Sequence, residues 1–266
     1  MSVADAFERA RADGRRVLIG YLPAGFPTYD GCVAALAAMV KAGVDVVEVG
    51  LPYSDPVMDG PVIQRAAERA LAQGTRTTDV LHTVEAVAGM GVPALCMTYW
   101  NPVARHGVDR FAADLAAAGG SGLITPDLIP DEADEWLAAS DRHGLDRVFL
   151  VAPSSTDERL ARTVEACRGF VYAASLMGVT GTREKTSEQG RDLVARVREV
   201  TEQLPVGVGL GVSNGGQAAE VAGYADAVIV GSAFVRTLLD ADTPEAGAAA
   251  AAELAADLSA GVRRAG

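Results

Sequence analysis

Two carboxylates that lie close together in the sequence are suited to acid–base chemistry. Glu48 belongs to the run Val44–Val49, in which strand alternation puts Val44 and Val46 on the same face as the glutamate. If that face lines the interior of a barrel, desolvation raises the pKa of the Glu48 carboxyl group and suits it to proton transfer near neutrality. Asp59 follows in a proline-rich loop and supplies a second carboxylate near the same rim. The competing interpretation of Glu48 is a buried glutamate held in a structural ion pair.

Three glycine groups follow later runs of β-branched residues. They lie at Gly178–Gly181, Gly209–Gly211 and Gly231-Ser232. Glycine allows backbone N–H groups to approach an anion closely, and the positive end of a helix dipole adds attraction without any lysine. In parallel barrels the loops after strands seven and eight commonly hold a phosphate. The spacing therefore predicts a phosphate site, with ordinary turns and helix caps as the alternative for each single glycine.

The elements that must position these groups alternate between strands and helices. Alanine-rich segments with apolar residues three and four apart separate eight β-branched runs. The predicted strands are Arg16–Leu22, Val44–Val49, Ala94–Thr98, Gly122–Ile124, Arg147–Val151, Gly169–Ala173, Val206–Gly209 and Ala225–Val230. Eight strand–helix units in 266 residues predict an α/β fold, a (β/α)8 TIM barrel that forms a single domain over residues 1–266. A doubly wound open sheet is the alternative.

Two connections are longer than their neighbours. One follows the second strand and opens with the proline-rich stretch GLPYSDPVMDGP, and the other follows the sixth strand and opens with SLMGVTGTREKTSEQG. Long loops at the C-terminal face of a barrel are where active sites and lids are built. We therefore expect both loops to contribute to function.

The charge balance and the rare residues exclude several classes of protein. With 23 basic and 35 acidic residues the net charge is −12, which disfavours nucleic acid and anionic membrane surfaces as partners. No stretch reaches the roughly 18 apolar residues of a membrane-spanning helix, and the N-terminus has no apolar secretory core. The three cysteines lack the spacing of a zinc site or a disulfide framework. We therefore expect a cytoplasmic protein without a metal.

The scarcity of lysine and histidine limits the possible reaction. Lysine occurs only at Lys41, which is predicted on a helix, and at Lys185, which is predicted in a loop, so neither is placed for Schiff-base chemistry. The histidines, His82, His106 and His143, have no metal-ligand spacing. Carbon–carbon cleavage or isomerisation by carboxylates alone remains, provided that the substrate carries its own electron sink.

The same stretches of sequence resemble the tryptophan synthase alpha chain family. The most specific one is Val47–Pro56 (VEVGLPYSDP), which continues through Asp59–Gln64 (DGPVIQ). The four supporting segments are Gly20–Gly25, Tyr172–Gly181, Gly209–Ser213 and Val230–Ala233. Five ordered segments at corresponding barrel positions are hard to obtain by chance.

The resemblance implies retro-aldol cleavage of indole-3-glycerol phosphate to indole and glyceraldehyde 3-phosphate, with the indole ring as the electron sink. Glu48 matches the family's general acid/base, and Asp59 matches the aspartate that hydrogen-bonds the indole N–H and stabilises the cationic ring. Thr180 matches a lid residue that bonds this aspartate when the loop closes. The positions matching phosphate contacts are Gly181, Gly209, Gly211, Gly231 and Ser232. The positions matching the walls of the substrate cavity are Tyr21, Met97, Tyr99, Ile124 and Tyr172.

The resemblance also implies a partner. A pyridoxal-phosphate beta chain receives the indole in an alpha2beta2 heterotetramer, whereas the alpha chain binds no cofactor itself. Pro52–Asp59 and the Asn101-Pro102 region match the segments that face this partner. The sequence departs from many members at Pro23, Phe26 and Leu176, which bear on the glycerol contacts and the lid.

Three alternatives to a subunit of this kind remain open from the sequence. The chain is a stand-alone lyase that needs no partner, or another phosphosugar isomerase or lyase built on the same barrel, or a non-catalytic member that only activates a partner. A stand-alone lyase requires that the lid can close without a partner. Another phosphosugar enzyme needs an acid/base set different from Glu48 and Asp59. A non-catalytic member predicts that Glu48 is dispensable.

Overall fold

The centre of the molecule is a closed barrel of eight parallel strands. The computed structural model describes residues 1–174 and 183–264, without the side chains of residues 183–186. The strands are β1 (Val17–Pro23), β2 (Val46–Gly50), β3 (Ala94–Met97), β4 (Gly122–Thr125), β5 (Asp146–Val151), β6 (Val171–Ala174), β7 (Val206–Gly209) and β8 (Ala227–Val230). Each strand pairs with the next, and β1 pairs with β8 to close the ring. The predicted (β/α)8 barrel is therefore confirmed, and the open sheet is excluded.

Helices follow the strands and surround the barrel. Along the described chain they are α1 (Val3–Ala12), α2 (Tyr29–Lys41), α3 (Pro61–Ala72), α4 (Thr77–Gly89), α5 (Trp100–His106), α6 (Val108–Ala117), α7 (Asp134–His143), α8 (Asp157–Ala166), α9 (Arg183–Val200), α10 (Gly215–Ala222), α11 (Ser232–Leu239) and α12 (Pro244–Arg263). Side-chain caps begin several of them, such as Thr28 before α2 and Asn214 before α10. Within the described ranges, no helix has both the length and the apolar character needed to cross a membrane.

The apolar residues form two layers that follow from strand alternation. One set, including Ile19, Val46 and Ile124, fills the inside of the barrel, and a larger set packs the outer strand faces against the helices. At the N-terminal end of the barrel, α1 buries Phe7 against Phe170, with ring centroids 6.0 Å apart. Because α1 covers that end, the C-terminal ends of the strands are left to form the site.

The register of β1 against β2 is fixed by a charged contact below the site. Asp45 accepts hydrogen bonds from the Leu18 N–H at 2.9 Å and from two nitrogens of Arg15 at 2.7 and 2.9 Å. The Asp45 N–H donates in turn to the Leu18 carbonyl at 2.9 Å. This register places Tyr21 of β1 beside Glu48 of β2.

Some local predictions are wrong in detail. The second strand begins at Val46, so Val44 lies before it and packs in the outer layer, and of the two valines predicted on the inner face with Glu48 only Val46 lies there. Lys185 lies in α9, although a loop was predicted, and His106 is the last residue of α5. The connection after β2 contains both α3 and α4, which explains its length. Residues 175–182 of the connection after β6 lie outside the described residues.

Candidate active site

Glu48 lies on the inner face of β2, near its C-terminal end. Tyr21 of β1 and Leu95 of β3 are its neighbours in register, and the residue is only 1% exposed. Its Oε1 atom has no hydrogen-bond partner among the described residues, and no ion pair of the described chain includes it. Burial raises the pKa of Glu48 to about 8. The carboxyl group is therefore mostly neutral at pH 7 and holds a proton that it can donate, which is not the state of an ion-paired structural glutamate.

Asp59 lies in the loop between β2 and α3 and is half-buried. Its Oδ1 atom accepts a hydrogen bond from the Tyr99 hydroxyl at 3.2 Å, and its backbone carbonyl accepts one from the Gln64 side chain at 2.8 Å. Burial raises the pKa of the Asp59 carboxyl group, and the hydrogen bond from Tyr99 opposes that rise. Gln64 of α3 and Tyr99 thus hold Asp59 at its backbone and at its side chain.

Tyr21 connects the two carboxylates electrostatically. Burial raises its pKa well above the usual value, and the negative charges of Asp59 and then Glu48 raise it further. Tyr172 of β6 shows the same pattern, with burial first and the charge of Glu48 second. Because one phenol lies within range of both acids, the structure brings Glu48 and Asp59 to the same end of the barrel.

Two glycines make room for these phenol rings. A Cβ atom on Gly50 would lie 2.3 Å from the Tyr21 hydroxyl oxygen, and one on Gly209 would lie 2.8 Å from the Tyr172 hydroxyl oxygen. Both distances are far below van der Waals contact, so a larger residue at either position would displace a ring. From the sequence, Gly209 is predicted to contact phosphate alone, and no role is predicted for Gly50. The place of Gly50 on the inner face of β2, where barrel strands usually carry branched side chains, is the sequence signal that could have indicated its role.

Two other predicted cavity residues differ in depth. Ile124 of β4 is fully buried inside the barrel, whereas Met97 of β3 is half-buried and packs against both apolar layers. Ile124 therefore forms part of the floor beneath the acids. Tyr99 lies two residues after the end of β3 and immediately before α5, and its side chain reaches the loop that carries Asp59.

The glycine loops after β7 and β8 meet at one cavity. Gly211 has a left-handed backbone (φ 66°), which favours glycine, and Ser232 is the first residue of α11. A cavity of about 400 Å³ is lined by Gly211, Ser213, Ser232 and Arg236, among others. No side chain of the described residues caps the start of α11 at Gly231, which leaves N–H groups available to an anion. Thr180 and Gly181, like the departure at Leu176, lie outside the described residues.

Groups for metal or imine chemistry are not assembled in the described part of the chain. Among the side chains of residues 1–174 and 187–264, no cluster of three histidine, cysteine or acidic groups could hold a metal ion. Lys41 ends α2, on the outside of the barrel. The cysteines Cys32 and Cys96 are buried as free thiols, and burial raises the pKa of each to about 12, so neither is a ready nucleophile.

The fold and the site together define a class of protein. A parallel (β/α)8 barrel, with a neutral carboxyl group and a second carboxylate at its C-terminal end and glycine loops after β7 and β8, is typical of enzymes that bind a phosphorylated substrate and move protons with acidic side chains.

Comparison with known proteins identifies the family within this class. The family model of the tryptophan synthase alpha chain matches residues 7–263, and the chain belongs to that family, a lyase family that cleaves indole-3-glycerol phosphate. Tryptophan synthase alpha chain from Acidothermus cellulolyticus is 66% identical, covering 99% of this chain and 97% of the relative, and that from Salinispora arenicola is 67% identical, covering 97% and 96%. These matches do not favour another phosphosugar enzyme.

Solved structures agree with this assignment. A structure of Mycobacterium tuberculosis tryptophan synthase matches with a TM-score of 0.91 and 59% identity, over 98% of each chain. Tryptophan synthase subunit alpha from Legionella pneumophila matches with a TM-score of 0.88 and 33% identity, again over 98% of each chain. The barrel is therefore similar even in a relative whose sequence differs from this chain at two thirds of positions.

Proposed function

We propose that this chain cleaves indole-3-glycerol phosphate to indole and glyceraldehyde 3-phosphate, with Glu48 as general acid and base and Asp59 as the stabiliser of the cationic ring. The observation that carries the proposal is the buried carboxyl group of Glu48, whose Oε1 atom has no hydrogen-bond partner among the described residues, beside a phenol that also lies within range of Asp59. Burial raises the pKa of Glu48 to about 8, which favours the protonated form at neutral pH. A carboxylic acid in an apolar barrel still holds its proton near neutrality and is therefore suited to protonating carbon as a general acid.

The proton transfers balance around one carboxyl group. Glu48 gives its proton to C3 of the indole, and the ring nitrogen becomes cationic. The resulting Glu48 carboxylate then removes the proton of the hydroxyl group next to the ring. As the aldehyde C=O forms, the bond between indole C3 and the glycerol carbon breaks, and its electrons neutralise the ring. Glu48 is protonated again at the end, and Asp59 lowers the energy of the cation throughout.

The activity itself gives the first test. We expect the purified chain to release indole and glyceraldehyde 3-phosphate from indole-3-glycerol phosphate in equal amounts, measured by indole fluorescence and by a coupled aldehyde assay. The assay is repeated with the beta chain of a relative, so that an activity that requires the partner is also detected. A folded chain that releases neither product under both conditions would contradict the proposed function.

We further propose that the phosphate lies against the loops after β6, β7 and β8, at Gly181, Gly209, Gly211, Gly231 and Ser232. The shared cavity of Gly211 and Ser232 and the uncapped start of α11 support this placement. The acidic chain offers no general positive field for an anion, so backbone N–H groups and the helix dipole would provide the attraction.

Removing the hydroxyl group of Ser232 should weaken substrate binding at its phosphate end. We expect Ser232→Ala to raise KM about tenfold with a small change in kcat, since a hydrogen bond to a charged group contributes about 1.5–3 kcal/mol. Steady-state kinetics check this, and inhibition by indole alone serves as the control, because indole carries no phosphate. If the variant weakened indole binding equally, Ser232 would not act on the phosphate.

An exposed apolar surface supports a beta-chain partner. Val57 is 78% exposed, Met58 is 39% exposed and Ile129 is 51% exposed, and all three lie in loops at the C-terminal face of the barrel. Tyr53 and Asn101, from the two segments expected to face the partner, are joined by a hydrogen bond of 3.1 Å. We propose that this surface binds a pyridoxal-phosphate beta chain in an alpha2beta2 assembly, with indole passing between the subunits. The alpha chain itself would need no cofactor.

We propose that residues 1–266 act as one domain, because β1 pairs with β8 and the C-terminal helix α12 packs against α2. The cytoplasm remains the expected location, which cell fractionation would check.

A further inference from the structure

The Tyr99 hydroxyl group makes two hydrogen bonds to the loop that carries Asp59. It donates to Asp59 Oδ1 at 3.2 Å and accepts from the Met58 N–H at 2.9 Å. A phenol has one proton to donate and lone pairs to accept, so these two bonds use it in both roles at once. Asp59 Oδ2 has no hydrogen-bond partner among the described residues.

Tyr99 is held from the barrel side. The residue is 5% exposed and follows β3, and the next N–H along the chain, that of Trp100, donates to Asp127 Oδ1 at 2.9 Å. The Tyr99 ring also packs against the Tyr53 ring, with centroids 5.3 Å apart. Because the backbone at Tyr99 is anchored by β3 and by the loop after β4, the Tyr99 side chain can set the position of the more exposed loop that carries Asp59.

We propose that Tyr99 is the positioning residue for Asp59, whose carboxylate it orients so that Oδ2 faces the indole N–H. The inference rests on the proposed function, since it assigns Asp59 to the indole ring. It differs from the role implied by the family resemblance, in which Tyr99 only lines the substrate cavity. The 3.2 Å bond is longer than the usual 2.5–3.0 Å for O–H to oxygen, which leaves room for it to shorten when substrate binds.

The electrostatics agree with this role. Burial raises the pKa of Asp59, and the Tyr99 hydrogen bond is the opposing influence that favours the ionised form. The titratable groups that face Asp59 in the described chain are Tyr99 from the start of α5 and Tyr21 from β1, with Glu48 on the other side of Tyr21. Among the described residues neither Tyr21 nor Glu48 donates a hydrogen bond to Asp59, and Tyr99 does. Loss of the Tyr99 hydroxyl group should therefore raise the pKa of Asp59.

Tyr99→Phe tests the proposal, because phenylalanine keeps the ring and removes only the hydroxyl group. We expect kcat/KM to fall about tenfold and its acidic limb to move to higher pH, since more Asp59 is protonated at a given pH. Carbon-13 NMR of the aspartate carboxyl groups should show a raised pKa for Asp59 in the substrate-free protein, a readout that does not depend on activity. Tyr29→Phe, at an exposed tyrosine that begins α2, is the matched control and should change neither quantity.

A double variant separates positioning from a direct contact with substrate. If Tyr99 acts through Asp59, Tyr99→Phe should cause little further loss in a chain that already carries Asp59→Asn. Additive losses, or an unchanged pKa of Asp59 in Tyr99→Phe, would overturn the proposal while leaving the lyase function intact. A wild-type chain without lyase activity would instead contradict the proposed function, and the NMR titration would still decide whether Tyr99 controls Asp59.

Discussion

Replacement of Glu48 by glutamine is expected to lower the rate of indole release at least about a hundredfold, the usual range for a general acid or base. Glutamine is nearly isosteric and fits the same buried position, but its amide can neither donate a proton to indole C3 nor remove one from the glycerol hydroxyl. Since Glu48 serves both steps, no second group among the described residues can take over half of its work. Single-turnover measurements of indole release check this expectation.

Glu85→Gln provides the matched control for this variant. Glu85 is an exposed glutamate on α4, so its substitution removes the same charge without touching the barrel interior. We expect full activity from the control and normal beta-chain binding from both variants. Cleavage by Glu48→Gln at the wild-type rate would mean that Glu48 does not transfer the proton. Such a result, with partner binding retained, would favour the non-catalytic alternative.

The raised pKa of Glu48 gives the same prediction a pH dependence. The free protein must hold the proton on Glu48 to begin the reaction, and that proton is lost as the pH rises through about 8. We therefore expect kcat/KM to fall on the alkaline side of about pH 8, whereas an ordinary glutamate would have lost its proton near pH 4.5. The residual activity of Glu48→Gln should lack this alkaline limb.

Much of the site could be predicted from the sequence because its main positions depend on local periodicity. Glu48 alternates with Val46 on the inner face of β2, and the loop that follows leads directly to Asp59. The glycines after β7 and β8 likewise lie where a barrel places the ends of its strands. The strand start at Val44 was wrong because a β-branched residue before a strand looks the same in sequence as one within it.

The rest depends on contacts between elements that are distant along the chain. The clearance between Gly50 and Tyr21 is set by the register of β1 against β2, which the Asp45 contact with Leu18 fixes. The bond from Tyr99 to Asp59 spans 40 residues and depends on how the loop after β2 folds back over the start of α5. No periodicity in the sequence specifies either contact, so both were found only in the folded structure.

Replacement of Asp59 by asparagine should lower kcat about a hundredfold with a small change in KM. Asparagine can still accept a hydrogen bond from the indole N–H, so the neutral substrate binds about as before. It cannot offer a negative charge to the ring nitrogen once indole C3 is protonated, and loss of one such preorganised group costs about a hundredfold to a thousandfold. Because the lost interaction strengthens only in the transition state, kcat and kcat/KM should fall together.

Two controls make this interpretation specific. Glu68→Gln removes an exposed acidic charge from α3, close in sequence to Asp59, and should leave the kinetics unchanged. An analogue that lacks the hydroxyl group next to the ring cannot be cleaved, and its indole stays neutral. It should bind to the wild type and to Asp59→Asn with similar affinity. A large loss of affinity for this analogue would assign Asp59 to ground-state binding. An unchanged kcat would show that Asp59 has no role in the chemical step. Glu48 would then be the single acid whose charge matters to bond cleavage.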